Sequence, residues 1–247
     1  MHDTAMMYGE YFFTSYLNNA TGLKIVDLGA QDVNGSLRSC APSHNEYIGV
    51  DFATGKGVDI VLTDPYVLPF ENSSIDTIVS SSCFEHSEFF WLTFIESLRV
   101  LKPSGLLYIN APSNGPYHRY PVDCWRFYPD SGVALQNWGN RNGYKCALLE
   151  SFIGMSKEDL WHDFVGVFVA DRNSASQYPT RIQEKTDAFM NGRLFAAEDI
   201  SNHQPHMRNS VQNQTEEITK LRQDLSAIRN SKFWRYTAPI RRIMRKK

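Results

Sequence analysis

An α/β chain built on a mostly parallel sheet, with helices on both faces, is the fold class this sequence predicts. Three observations carry that reading. The stretch Leu23 to Leu37, LKIVDLGAQDVNGSL, is a short apolar run that breaks at Gly29 and ends in a polar turn. From Leu23 to Asn110 short apolar runs alternate with helix-period or turn-rich segments, which is the signature of parallel strands joined by crossovers. Acids recur at or near the ends of those runs, at Asp27, Asp51 and Asp64. A carboxylate at the end of a buried strand is costly unless something pairs with it, and ligands bind outside the carboxyl ends of such strands.

Composition sets wide bounds. The chain has 247 residues, with 42% hydrophobic and 21% charged content and a formal net charge of −2. That suffices for one sizeable core plus an appendage. The balance gives no global bias toward nucleic acid, although the last segment is strongly basic. Cys40, Cys83, Cys124 and Cys146 are widely spaced, form no CxxC pair, and suggest neither a disulfide framework nor zinc, so no metal is expected. The start, MHDTAMMYGEYFF, lacks a basic region followed by an apolar one, and no run approaches a membrane span. A reduced, cytoplasmic protein is the expectation.

In chain order, residues 1–20 place Met6, Met7, Tyr8, Phe12, Phe13, Tyr16 and Leu17 at amphipathic spacing. That segment reads either as a helix packed on the domain or as a lid over a ligand. Leu23 to Leu28 is the first strand, Gly29 lets backbone approach a ligand, and Ser36 caps a following helix. Tyr47 to Val50 is the second strand and ends at Asp51, about the offset from Gly29 at which a carboxylate accepts from both ribose hydroxyls. Val58 to Leu62 is the third strand, followed by Thr63, Asp64 and Pro65, and Thr77 to Ser80 the fourth. Glu85 and His86 come just beyond it, at the mouth of the expected site. Phe89 to Leu101 has helical spacing and ends at Lys102-Pro103-Ser104-Gly105, and Leu106 to Asn110 is the fifth strand.

Asp27 with Gly29, the block LPFENSSIDTIVSSSCFEH and the junction RVLKPSGLLYINAP together resemble the class I S-adenosylmethionine-dependent methyltransferases over about residues 23–170. Gln31 and Val33 stand where that family often has glycine, and the missing alternate glycines also count against a dinucleotide pyrophosphate site. The resemblance implies a Rossmann-like fold: a seven-stranded, mostly parallel sheet with an antiparallel closing strand, here followed by a C-terminal helical tail. It implies S-adenosylmethionine as cofactor, bound by Asp27, Gly29, Ala30, Asp51, Phe52, Asp64, Tyr66 and Ser81, with Asp27 and Gly29 facing its methionine part, Asp51 its ribose and Asp64 its adenine. Pro65 has no N–H to offer the ring, so either Tyr66 supplies that contact or the adenine is held differently.

Ala111 to Asp130, APSNGPYHRYPVDCWRFYPD, is a long aromatic and proline-rich stretch with no period, leaving the carboxyl end of a central strand. Such a loop is uncommon unless functional. It resembles a segment of methyltransferases from bacterial polysaccharide (O-antigen and capsule) clusters. The acceptor implied is a sugar hydroxyl on a nucleotide sugar or lipid-linked glycan. His118 is the expected base, with Asp123 and His86 behind it, and Arg119, Tyr120, Trp125 and Arg126 would hold the acceptor. A protein or small-metabolite acceptor, or a catalytically silent scaffold for glycan enzymes, is the rival reading.

Ser131 to Asn142 reads as a helix, and Tyr144 to Glu150 and Val165 to Ala170 as two closing strands. The expected domain is 1–170, followed by a polar linker over 171–210. In 211–247, Ile218, Leu221, Leu225 and Ile228 give a short heptad-like helix suited to a homodimer over 211–230. The end, SKFWRYTAPIRRIMRKK, mixes aromatics with seven basic residues. It fits an anionic membrane surface, which would make the protein peripheral on the cytoplasmic face of the inner membrane. A solvated basic tail is the plainer reading, and no nucleic acid is expected.

Overall fold

A computed structural model describes residues 3–155, 161–204, 210–231 and 234. The chain forms two units, 1–204 and 205–247. The first is a Rossmann-like α/β fold, arranged as α1 (Asp3–Tyr16), β1 (Lys24–Leu28), β2 (Glu46–Asp51), β3 (Ile60–Val61), β4 (Ile75–Ser81), α2 (Phe90–Val100), β5 (Leu101–Pro112), α3 (Pro129–Arg141), β6 (Ala147–Gly154), β7 (Asp163–Val169) and β8 (Phe189–Leu194). In the second, α4 spans Ser210–Asn230.

The sheet runs β3-β2-β1-β4-β5-β7-β6-β8. The first five strands are parallel, and β7, β6 and β8 each pair antiparallel with their neighbour. From β1 the chain steps outward through β2 and β3, then returns to place β4 on the other side of β1. That reversal opens a crevice at the carboxyl ends of β1 and β4, where open α/β sheets bind ligands. Strand alternation separates two cores. Ile25, Val79 and Tyr108 face one side and pack with Tyr8, Phe12, Phe13 and Tyr16 of α1. Val26, Ile78 and Leu107 face the other and pack with Phe94, Leu98 and Leu135 of α2 and α3. The aromatic face of α1 is therefore spent on the core, and α1 is a packing helix.

Four expectations change. The sheet has eight strands where seven were expected. The extra strand, β8, comes from the stretch read as a linker over 171–210. That stretch also holds two 3-10 turns, Arg172–Gln177 and Ile182–Glu184. The turn at Ile182 is anchored by Glu150, which is buried in β6. Its carboxylate accepts from Tyr16 Oη at 2.7 Å, Ile182 N at 2.6 Å and Gln183 N at 3.2 Å. The helix expected after the glycine turn is only the 3-10 turn Leu37–Ser39, capped by Ser36 Oγ, and Pro42 follows three residues later. The third strand shrinks to Ile60–Val61, and Lys102-Pro103-Ser104-Gly105 lie within β5 as an irregularity where its pairing with β4 shifts register. The basic aromatic segment read as membrane-binding lies, Ser231 and Trp234 apart, outside the described residues. Among the described residues no helix is long and apolar enough to cross a membrane.

Candidate functional site

A cavity of about 710 Å³ opens at the carboxyl ends of β1, β2 and β4, a size typical of small-molecule sites. Gly29 forms its floor with φ +77°, and a Cβ there would lie 2.6 Å from Cys83 Cβ. Both the backbone angle and the close approach of the loop after β4 require glycine. The turn is tied to β2, since Gly29 N and Ala30 N both donate to Val50 O, at 3.0 and 3.2 Å.

Asp51 ends β2 and lines the cavity. Its Oδ2 accepts from Gln31 N at 3.2 Å and its Oδ1 from Ala53 N at 3.1 Å. Two backbone donors fix the carboxylate, and each oxygen retains a second lone pair. Phe52 lies beside it on the wall. This arrangement fits a vicinal diol such as that of a ribose.

Asp27 is buried, and its Oδ2 accepts from Tyr47 Oη at 2.7 Å. Burial pushes its carboxyl from 3.8 to about 7, opposed by the Tyr47 bond and by Arg38. The sign of the linkage follows. Between pH 3.8 and about 7 the folded chain keeps a proton that the unfolded chain has lost. The native state then binds more protons, so this group's contribution to stability falls as pH rises through that window. The stability gained by Asp27→Asn should therefore grow from pH 4 to 7, with a ceiling of about 4 kcal/mol. Denaturant melts of both proteins across that range check this, and a constant difference would refute it.

Thr63, Pro65 and Tyr66 form the opposite wall, with Ser81 at the end of β4. Asp64 is not on the lining; its Oδ1 accepts from Tyr66 N at 2.8 Å. The N–H that could have replaced the missing one of Pro65 is thus already engaged.

The loop after β5 supplies the rest. His86, His118, Arg119 and Tyr120 line the cavity. Tyr120 Oη donates to Gln31 Oε1 at 2.9 Å, joining this loop to the glycine turn. Asp123 stands behind His118: its Oδ2 accepts from His118 N at 2.7 Å and lies 3.4 Å from His118 Nδ1. Arg126 grips the same carboxylate with two nitrogens at 2.6 and 2.9 Å and holds it down to about 2. Trp125 donates to Ser87 O and packs edge-on against Phe90 and Trp91. Trp125 and Arg126, expected to hold the acceptor, do not line the cavity; they brace the loop that carries His118.

Sequence reading set His86 behind His118 but left Glu85 at the site mouth without joining it to them. Glu85 is 1% exposed, beneath the site. Burial raises its carboxyl to about 8. Glu85, His86 and His118 each present a possible metal-ligand atom, all within 4.8 Å of one another. The 32 positions separating His86 from His118 follow no period, so only the packed loop reveals the trio.

Residues 13–109 match the family model described as a methyltransferase domain. That span is a methyltransferase domain. The chain is similar in fold to the Burkholderia thailandensis 1,6-didemethyltoxoflavin-N1-methyltransferase solved with S-adenosylhomocysteine, at 13% identity and a TM-score of 0.54, over 68% of this chain and 78% of that one. It also resembles a putative S-adenosyl-L-methionine-dependent methyltransferase from Methanococcus maripaludis, at 17% identity and a TM-score of 0.47, over 68% and 85% of the two chains. No curated protein matches the chain. The glycine floor and Asp51 fall within the matched span, whereas His118 and the rest of the loop that completes the cavity lie beyond it.

Proposed function

We propose that this methyltransferase places S-adenosylmethionine along the ends of β1, β2 and β4 and transfers its methyl group to a hydroxyl of a sugar used in surface-glycan synthesis. The observation that carries the reading is the polarity of the cavity. One end offers Asp51 to a ribose, and the other offers His86 and His118 under an aromatic loop. The donor already holds an activated methyl group, so the protein mainly aligns the acceptor and manages the proton that a hydroxyl must lose. The two histidines are the groups in place for that task. Tyr117 and Tyr120 are exposed on the same loop, and flat rings beside Arg119 suit a sugar ring and the phosphate of a nucleotide or lipid carrier. Asp27 and Gly29 would face the methionine part, and Thr63, Pro65 and Tyr66 the adenine.

Transfer of labelled methyl from S-adenosylmethionine to panels of nucleotide sugars, lipid-linked glycans and small nitrogen acceptors tests this. Product on a sugar oxygen is expected, with kcat lowered at least 100-fold in His118→Ala. Transfer confined to nitrogen or to protein would sink the sugar assignment.

A further inference from the structure

We propose that Glu85, His86 and His118 bind a divalent transition-metal ion that takes the oxygen atoms of the methyl acceptor. The inference rests on the methyl-transfer reading and specifies how its proton-handling end works. The geometry supports it at three points. Glu85 Oε1 lies 3.7 Å from His86 Nε2, and the ligand atoms of all three residues fall within 4.8 Å of one another. Modest inward rotation closes that spacing onto metal bonds of about 2.0–2.2 Å.

The histidines are held the right way round. His86 Nδ1 sits against Val122 O, and His118 Nδ1 lies 3.3 Å from Pro116 O and 3.4 Å from Asp123 Oδ2. Those partners only accept, so each Nδ1 carries the hydrogen and each Nε2 presents a bare lone pair. Fixing a ring through its far nitrogen is how ligating histidines are oriented.

Glu85 supplies the charge. It is 1% exposed, and its Oε2 is buried with no hydrogen-bond partner. The nearest cation, Arg126, is committed to Asp123 and to the Pro116 and Trp125 carbonyls. A buried carboxyl without a partner keeps its proton, and an ion at this place would displace that proton and meet the negative field that Asp123 and Asp163 add. Two imidazoles and one carboxylate suit Zn²⁺, Fe²⁺ or Mn²⁺ better than Mg²⁺ or Ca²⁺, which prefer all-oxygen shells.

His86 and His118 line the cavity, so the open coordination positions face the acceptor. A five- or six-coordinate ion held by these three residues has two or more further positions, and two adjacent ones suit a chelating pair of oxygens such as a vicinal diol. The dication lowers the pKa of the bound hydroxyl, and its proton leaves to solvent. The oxygen then forms a bond to the methyl carbon as the carbon–sulfur bond breaks, and the electron pair stays on sulfur in S-adenosylhomocysteine.

The test uses tag-free, full-length protein stripped with chelator and titrated separately with Co²⁺, Zn²⁺ and S-adenosylhomocysteine. One equivalent of Co²⁺ is expected, with visible absorption bands displaced by Zn²⁺. His86→Ala and His118→Ala should each weaken binding at least tenfold while still binding S-adenosylhomocysteine. Glu85→Gln, which keeps the shape of the side chain, should weaken it as well. S-adenosylhomocysteine binding without a Co²⁺ spectrum, or a spectrum unchanged in the histidine variants, overturns the metal site alone. Failure of the folded parent to bind S-adenosylhomocysteine overturns the methyl-transfer reading beneath it.

A different observation carries an inference about the second unit. We infer that α4 pairs in parallel and in register with α4 of a second copy of this chain. Ile218, Leu221, Leu225 and Ile228 are exposed apolar residues at alternating spacings of three and four, the seam of a two-stranded coil. With Ile218 and Leu225 at the first heptad position, Glu217 and Asp224 flank the seam on one side and Arg222 and Arg229 on the other. In a parallel pair Glu217 faces the second copy's Arg222, and Asp224 its Arg229. An antiparallel pair would set acid against acid and arginine against arginine. Sedimentation of the full chain should show a dimer. Glu217→Arg with Asp224→Arg should give monomers, as should Arg222→Glu with Arg229→Glu, and mixing the two variants should restore the dimer. A monomeric parent, or variants that each dimerise as well as the parent, would refute the pairing.

Discussion

Asp51→Ala is expected to weaken S-adenosylmethionine binding at least 100-fold, a loss of about 3 kcal/mol. The carboxylate sits at the end of β2, on the cavity wall, with one backbone N–H already on each oxygen. Those donors aim it and leave lone pairs for two hydroxyls, and hydrogen bonds to a charged acceptor are the stronger kind. Alanine also leaves Gln31 N and Ala53 N without their acceptor, so the glycine turn loosens. Asp51→Asn separates the two effects. It retains one acceptor oxygen and should fall between the parent and the alanine variant. Calorimetric titration reads both, with circular dichroism confirming the fold. Unchanged affinity in a folded Asp51→Ala protein would place the ribose elsewhere in the cavity.

Glu150→Ala should cost the most in stability, about 3–5 kcal/mol. One buried carboxylate holds α1 through Tyr16, and holds the turn before β8 through Ile182 N and Gln183 N. Removing it strands two amides and a hydroxyl in a core flanked by Phe152 and Ile182. A melting temperature lower by roughly 10 °C is expected for a unit of this size. Glu150→Gln keeps one acceptor but turns an amide NH₂ toward a donor, so about half the loss should remain. Burial raises the Glu150 carboxyl, yet its three donors keep truncation costly. A melting temperature within 2 °C of the parent, roughly the scale of 1 kcal/mol, would show that α1 and β8 are held by apolar packing alone.

The parts legible in the sequence are those fixed by local pattern. β1, β2 and β4 each carry an apolar centre (Ile25-Val26, Tyr47-Ile48, Ile78-Val79), and the turn that follows β1 demands glycine, so the crevice and Asp51 could be placed without coordinates. β8 could not. Phe189 and Met190 alternate with Asn191, Gly192 and Arg193, Asn191 takes a positive φ of 54°, and the pairing with β6 shifts register. An irregular edge strand of that composition reads as linker until Glu150 and Tyr16 are seen to anchor the turn before it. The helix expected after Ser36 fails for a related reason. A capping signal starts a helix, but Asn34, Gly35 and Pro42 leave too few residues to propagate one. At the site, the types of His118, Asp123 and Arg126 were legible but their division of labour was not. Whether an arginine meets a ligand or a neighbouring carboxylate depends on packing that spacing does not encode.

The bond from Tyr120 to Gln31 bears on the order of events in a catalytic cycle. It links the loop that carries His118 to the glycine turn, and both line the cavity. On the proposed reading the donor seats against that turn before the loop settles over the acceptor, so an ordered cycle with the donor first is expected. S-adenosylhomocysteine should then compete with the donor and not with the acceptor, and Tyr120→Phe should exchange cofactor faster while binding it less tightly.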